Sequence, residues 1–228
     1  MARTPPDQTQ ANRRQTRLVL PAGLVGLGVI AVAVALGALG GGDDGTPSQR
    51  PYRGSEPPVR FELPAFELAS YRGGRVSSDE LRGRVVLLTL LDSQCTEACP
   101  ILASVIAGAV DRLTSEERAQ MRALAVTVDP AEDTPASVRR FLQARRAEGR
   151  LDYLLGSERE LRPLWDALQV LPSLDTGRDS LHSAPLRIYS REGIWVTTLH
   201  AGADLSEENL LHDIRVVLRA LPDDEVTG

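Results

Sequence analysis

The sequence predicts a layered α/β domain set behind one membrane-spanning helix. Residues 18–40 carry no charge and consist almost wholly of Leu, Val, Ala, Ile and Gly. From about residue 66 onward, short continuous apolar runs alternate with amphipathic ones, the pattern of strands and helices packed in layers. The chain's two cysteines, Cys95 and Cys99, both fall in the stretch "DSQCTEACP", where a buried strand gives way to a helix. A central strand that ends in a cysteine pair at the start of the next helix points, by analogy of fold, to a thioredoxin-like mixed sheet flanked by helices.

The uncharged run is 23 residues long, enough to cross the roughly 30 Å hydrocarbon core as a helix. Arg13, Arg14 and Arg17 precede it, and Asp43 and Asp44 follow. The positive-inside rule therefore places residues 1–17 in the cytoplasm and the rest outside, a single-pass plasma-membrane topology. Cleavage near Ala35, Gly37 and Ala38 is the alternative. Residues 41–60 are rich in Gly, Pro, Ser and charge, so they read as a flexible stalk. Residues 61–221 are the size of one domain, and 222–228 form a tail. The net charge of −5 is spread without long runs, which gives no indication of nucleic-acid binding.

Within the domain, Phe66–Ser70 and Arg75–Ser77 flank "YRGG" and read as a hairpin. "SSDEL" reads as a helical turn ending at Gly83. Arg84–Leu91 is a continuous Val and Leu run, expected of a strand buried on both faces. A helix from about Cys99 to Thr114 follows, with Pro100 at its first position. Met121–Val128 is a second buried strand, and Asp129–Pro135 turns into a helix that runs through about Ala147. "LDYLL" is a short strand, and "SERELRPLWDAL" is a helix capped by Ser157. Pro185–Tyr189 and Ile194–His200 pair around "SREG". Ser206 caps a last helix whose apolar face is Leu210, Leu211, Ile214, Val217, Leu218 and Leu221.

Three chemistries fit the cysteine pair. One is a stabilising disulfide, although closing so short a loop contributes only about 2 kcal/mol against about 4.7 for a 100-residue loop. The second is a thiol–disulfide oxidoreductase with Cys95 and Cys99 as a redox-active disulfide. A helix N-terminus lowers a thiol's pKa, while the C-x-x-x-C spacing departs from the usual C-x-x-C and Glu97 between the cysteines opposes a thiolate. The third is a metal site: cysteines at i and i+4 project from one side of a helix, and two thiolates with an imidazole suit Cu(I), Cu(II) or Zn. Of the three histidines, His212 reads as a surface residue, and His200 as the end of a strand. His182, just before the penultimate strand, is placed to face the cysteine loop in a thioredoxin-like fold.

Residues 61–221 resemble the Sco/SenC copper chaperones, membrane-tethered thioredoxin-fold proteins. The family's C-P-D-V-C-P appears as Cys95-Thr96-Glu97-Ala98-Cys99-Pro100, and its V-D-P-x-x-D-T-P as Val128 to Pro135. Its D-H-S segment is matched by His182-Ser183, with His182 eleven residues before Gly193. The resemblance implies copper held by Cys95, Cys99 and His182, with Asp129 and Asp133 supporting the turn beside them. It also implies delivery to the CuA centre of cytochrome c oxidase subunit II or another copper or thiol acceptor, and a role in reducing that acceptor's cysteines. The chain departs from the family at Asp92, where an aromatic residue is usual, at Thr96-Glu97, and in the polar approach over residues 171–181.

Overall fold

The computed structural model describes residues 51–169 and 185–220. The span predicted over residues 18–40 lies outside them, and among the described residues no helix is long and apolar enough to cross a membrane.

The first hairpin joins β1 (Glu67–Ser70) to β2 (Arg75–Ser77). Its turn contains Gly73 and Gly74, both at positive φ, where a Cβ would be strained. A 3-10 turn over Ser78–Leu81 is capped by the Ser77 hydroxyl, and β3 (Val85–Leu91) follows with every residue buried. Next come α1 (Ala98–Asp111), the short α2 (Ser115–Ala119) and β4 (Met121–Thr127). The chain continues through α3 (Pro135–Ala144), β5 (Asp152–Leu155) and α4 (Glu158–Leu168). After the segment 170–184 come β6 (Pro185–Tyr189), β7 (Trp195–His200) and α5 (Glu207–Arg219).

The seven strands form one mixed sheet in the order β2-β1-β5-β4-β3-β6-β7. The central three, β5, β4 and β3, are parallel, and the outer strands add on antiparallel. A sheet whose middle is parallel has to be covered on both faces, and it is. On one face Leu102, Ile106, Leu142 and Ile214 pack with Leu87 and Ala125. On the other, Leu161, Leu164 and Trp165 pack with Leu88 and Leu124. Since β-strand side chains alternate in direction, Leu87 and Leu88 serve opposite cores. Leu91 at the end of β3 lies beside Thr127 at the end of β4, so the two loops that leave these strands start side by side.

Three differences from the sequence reading have plain causes. α2 was not expected because five residues are too few to show a period; a Thr114–Glu117 capping box supports it instead. α1 begins one residue earlier than expected, at Ala98. Pro100 is then its third residue, still within the first turn, whose N–H groups have no partner inside the helix.

Residues 52–55, assigned to the stalk on composition, lie against the domain. The buried Asp213 of α5 accepts the N–H groups of Arg53 at 2.7 Å and Gly54 at 2.9 Å. Ser55 forms an antiparallel bridge to Thr198 of β7. Gly54 is required there, since a Cβ would sit 2.5 Å from the Thr198 carbonyl oxygen. Composition describes side chains, whereas this strap is held through its backbone.

Replacing Asp213 with Ala leaves two strap amides without acceptors, which costs about 2–3 kcal/mol. Denaturant unfolding of D213A should show a loss of that size, and trypsin should cut after Arg53 faster than in the parent. An unchanged cleavage rate would show that the strap is held without Asp213.

Candidate metal centre

Both cysteines follow the C-terminal end of β3. Asp92 opens the loop: its Oδ1 accepts the Gln94 N–H at 2.6 Å, and its carbonyl oxygen accepts the Cys95 N–H at 3.2 Å. These two bonds turn the chain sharply, as Asp does at the head of a turn. The chain then enters α1 with Glu97 at the N-cap, and no side-chain oxygen caps the helix.

Cys95 sits at that uncapped helix start. The Cys99 thiol beside it is the largest influence on its pKa, and the backbone N–H groups of Cys99, Glu97 and Ala98 act in the same sense, so it falls from near 9 to about 5 although burial opposes the shift. A helix start favours negative charge for the same reason that it binds anions. Cys99 moves the other way: donation to Cys95 is the main cause, burial adds to it, and the Asp92 N–H opposes it. The two shifts run in opposite directions, favouring the anion on the half-buried Cys95 and the proton on the buried Cys99.

The reason the sulfurs meet differs from the one the spacing suggested. Cys95 lies outside α1, which starts at Ala98, so the i,i+4 rule for two helical residues does not bring them together. The turn at Asp92 folds Cys95 back over the helix start. Glu97, expected to oppose the thiolate, contributes its backbone N–H to it.

Beneath the loop lies a buried polar cluster. Asp133 is 6% exposed. Its Oδ1 accepts the Ser93 N–H at 3.0 Å, and its Oδ2 accepts the Thr127 hydroxyl at 2.6 Å. The Tyr153 hydroxyl of β5 lies 2.7 Å from both Asp133 Oδ2 and the Leu91 carbonyl oxygen. Burial, followed by the charge of Asp133, raises the Tyr153 pKa well above its ordinary value. Asp129 shapes the turn: its Oδ1 accepts the N–H groups of Ala131 and Glu132, each at 3.2 Å, and its carbonyl oxygen accepts the Asp133 N–H at 3.0 Å. Burial raises the Asp92 carboxyl's pKa, and the charges of Asp133, Asp129 and Cys95 add to that effect. Tyr153 was not foreseen as part of the site, because a lone Tyr inside "LDYLL" gives no signal that its hydroxyl spans two strands.

His182 lies outside the described residues. Among the described residues, no group of three or more His, Cys, Asp or Glu is placed to hold a metal ion. His200 ends β7, with its N–H donated to Asp204. His212, on α5, has Nδ1 2.9 Å from Asp213 Oδ1. Neither lies in the cysteine loop or in the cluster beneath it.

A mixed α/β sheet with a cysteine pair at a central strand's end defines a thioredoxin-like class, and comparison with known proteins narrows it. The SCO1/SenC family model matches residues 57–219, and the chain belongs to that family. It is 30% identical over 140 residues to a Stutzerimonas stutzeri protein named "Putative copper-binding protein", an alignment covering 60% of this chain and 68% of that one. Two solved structures share the fold. BsSco, described as carrying a disulfide switch and as a member of the Sco family of cytochrome c oxidase assembly proteins, superposes with a TM-score of 0.61 at 18% identity, covering 73% of this chain and 99% of its own. Yeast Sco1 with copper bound gives 0.59 at 22% identity, covering 73% and 94%.

A thiol whose folded pKa is depressed adds stability that is fully present above its unfolded value near 9 and is lost as pH falls through about 5. The stability difference between the reduced protein and Cys95→Ser should therefore widen from pH 5 to pH 9, and iodoacetamide should label Cys95 with a midpoint near pH 5. A midpoint near 9 would mean that the amides do not reach the sulfur. Separately, Asp133→Ala leaves the Ser93 amide and the Thr127 hydroxyl without their acceptor, while Tyr153 keeps the Leu91 carbonyl oxygen, and should cost about 2 kcal/mol or more, read as a shifted denaturation midpoint.

Proposed function

We propose that this chain is a copper-binding Sco-type protein that holds copper through Cys95, Cys99 and His182 and passes it to a copper acceptor of cytochrome c oxidase, CuA-bearing subunit II being the candidate. Residues 18–40 anchor it in the plasma membrane with residues 1–17 in the cytoplasm, and the domain works on the outer side. Family membership and copper in yeast Sco1 support the cargo. The naming of BsSco among cytochrome c oxidase assembly proteins supports the acceptor. The charge asymmetry around the apolar run supports the topology.

The observation that carries the reading is the pair of free cysteines, half-buried Cys95 and buried Cys99, at the N-terminus of α1. Two thiolates and a neutral imidazole suit copper. Binding displaces the Cys99 proton, and the metal's positive charge offsets the repulsion between the sulfurs. The Glu97, Ala98 and Cys99 amides keep Cys95 oriented before the metal arrives. Exchange with an acceptor then proceeds from Cys95, the more accessible sulfur.

The same asymmetry favours a second reading. A depressed, exposed thiolate is the attacking member of a dithiol. Cys95 would attack one sulfur of an acceptor disulfide, releasing the other as a thiolate. Cys99, after losing its proton, would then attack the Cys95 sulfur of the mixed disulfide, freeing the acceptor as a dithiol and leaving Cys95–Cys99 oxidised. Reduction of the acceptor and delivery of copper draw on one pair, and an external dithiol must return Cys95–Cys99 to the reduced form between the two uses.

Titration of the reduced protein should show one copper per chain. Cys95→Ala and Cys99→Ala should abolish tight binding. His182→Ala should weaken it and change the Cu(II) charge-transfer spectrum, while His200→Ala and His212→Ala should leave both unchanged. The oxidised protein should take up no Cu(I), and bound copper should protect both thiols from alkylation. Equal alkylation with and without copper, together with turnover on generic disulfides, would favour the oxidoreductase reading. An unaltered spectrum and affinity in His182→Ala would remove that residue as the third ligand.

A further inference from the structure

We propose that a cleft at the opposite pole of the sheet from the cysteines binds a small polyanion, a molecule bearing two or more phosphate or carboxylate groups, through a preset array of arginines. The cleft lies at the start of the parallel strands, where Arg84 precedes β3 and Met121 and Asp152 open β4 and β5. The cysteines follow the other end of β3, about seven residues or roughly 23 Å along the strand. Its volume of about 760 Å³ falls in the range of small-molecule sites.

Register explains why the cleft is there. β5 begins to pair with β4 only at Leu124 and Asp152, although β4 itself starts at Met121. The first three residues of β4 thus have no strand neighbour on the β5 side, and the sheet opens into a notch. Leu81, Val110 and Met121 supply apolar wall.

Arg72, Arg84, Arg118, Arg122 and Arg150 line the cleft, with Glu80 and Asp152 as its only carboxylates. This positive concentration occurs in a chain of net charge −5. Four of the five guanidiniums are tethered by part of their donor set. Arg72 Nε donates to the Tyr71 hydroxyl at 3.0 Å and the group lies over that ring at 5.3 Å. Arg84 Nη1 donates to the Ala119 carbonyl oxygen and Arg118 Nη2 to that of Leu113, both at 3.0 Å. Arg150 is held by Asp111 at 2.6 Å and by the Glu148 carbonyl oxygen at 3.2 Å.

A guanidinium has five N–H donors, so each tethered arginine keeps donors free while its direction is set. Arg122 is the one exposed side chain of β4, and among the described residues no hydrogen bond or ion pair engages it. Arginine forks match phosphate and carboxylate geometry. Because the cationic groups line a concavity, a compact anion can meet several of them, whereas a flat lipid surface cannot. The site is independent of copper and of the Cys95–Cys99 pair.

The test is calorimetric titration of the full-length, metal-free chain in detergent with pyrophosphate and, separately, with citrate, at about 0.15 M salt so that loose surface attraction is screened. One molar equivalent should bind. Saturation by pyrophosphate alone assigns a phosphate ligand, by citrate alone a polycarboxylate, and by both the shared oxyanion chemistry. Arg84→Gln/Arg122→Gln, which removes only one exposed hydrogen bond, should weaken binding about tenfold or more with an unchanged thermal midpoint. Cys95→Ala should bind as the parent does. The proposal fails if neither probe gives a saturable heat, or if the double variant binds as tightly as the parent.

Discussion

The site rests on one buried carboxylate. Asp133 ties three parallel strands together: Ser93 beyond the end of β3, Thr127 at the end of β4, and Tyr153 near the start of β5, whose hydroxyl also meets Leu91. A carboxylate taken out of water is costly unless its oxygens are matched by donors. Here three donors converge on it, each from a different segment, so the cost is offset only when all three segments are in register. The cysteine loop inherits its position from that condition. Ser93, held by Asp133, lies two residues before Cys95 and one after Asp92, whose side chain and carbonyl turn the chain.

The helix start above it converts position into chemistry. Without a side-chain cap, the first amides of α1 favour negative charge on Cys95, and the buried Cys99 thiol adds to that effect. Two identical side chains thereby become unlike, one a half-buried nucleophile or ligand and the other a buried thiol. The difference comes from burial and backbone direction. It is the asymmetry that both copper exchange and disulfide chemistry use.

A parallel sheet has two functional ends, and this domain differentiates them. The C-terminal ends of β3 and β4 carry the sulfurs and a group of carboxylates, in line with the tendency of open α/β sheets to bind ligands there. The starts of the same strands carry an arginine-lined cleft, opened because β5 begins three positions late against β4. Between them every residue of β3 is buried, so the sheet separates the two ends as a rigid spacer. Beside β7, Asp213 of α5 holds Arg53 and Gly54 against the domain through their backbone amides.

By itself the sequence determined the elements with strong periodicity or clear punctuation. β3 and β4 are long, mainly apolar runs, α4 and α5 open with Ser caps, and the hairpins surround glycine turns, so local patterns sufficed to place them. The cysteine pair and the Asp129–Asp133 turn were legible as motifs, because their residue types and spacing are local. Tertiary structure alone decided what depends on chain segments far apart: the Tyr153 hydroxyl against Leu91 and Asp133, Asp213 under the strap at Arg53 and Gly54, and five arginines from separate elements around one cleft. It also decided why the sulfurs meet, since Cys95 stands outside the helix that its spacing implied. The division has a physical reason. Hydrophobic period and capping act over a few residues, whereas a buried polar group is defined by donors that only the packed sheet brings to it.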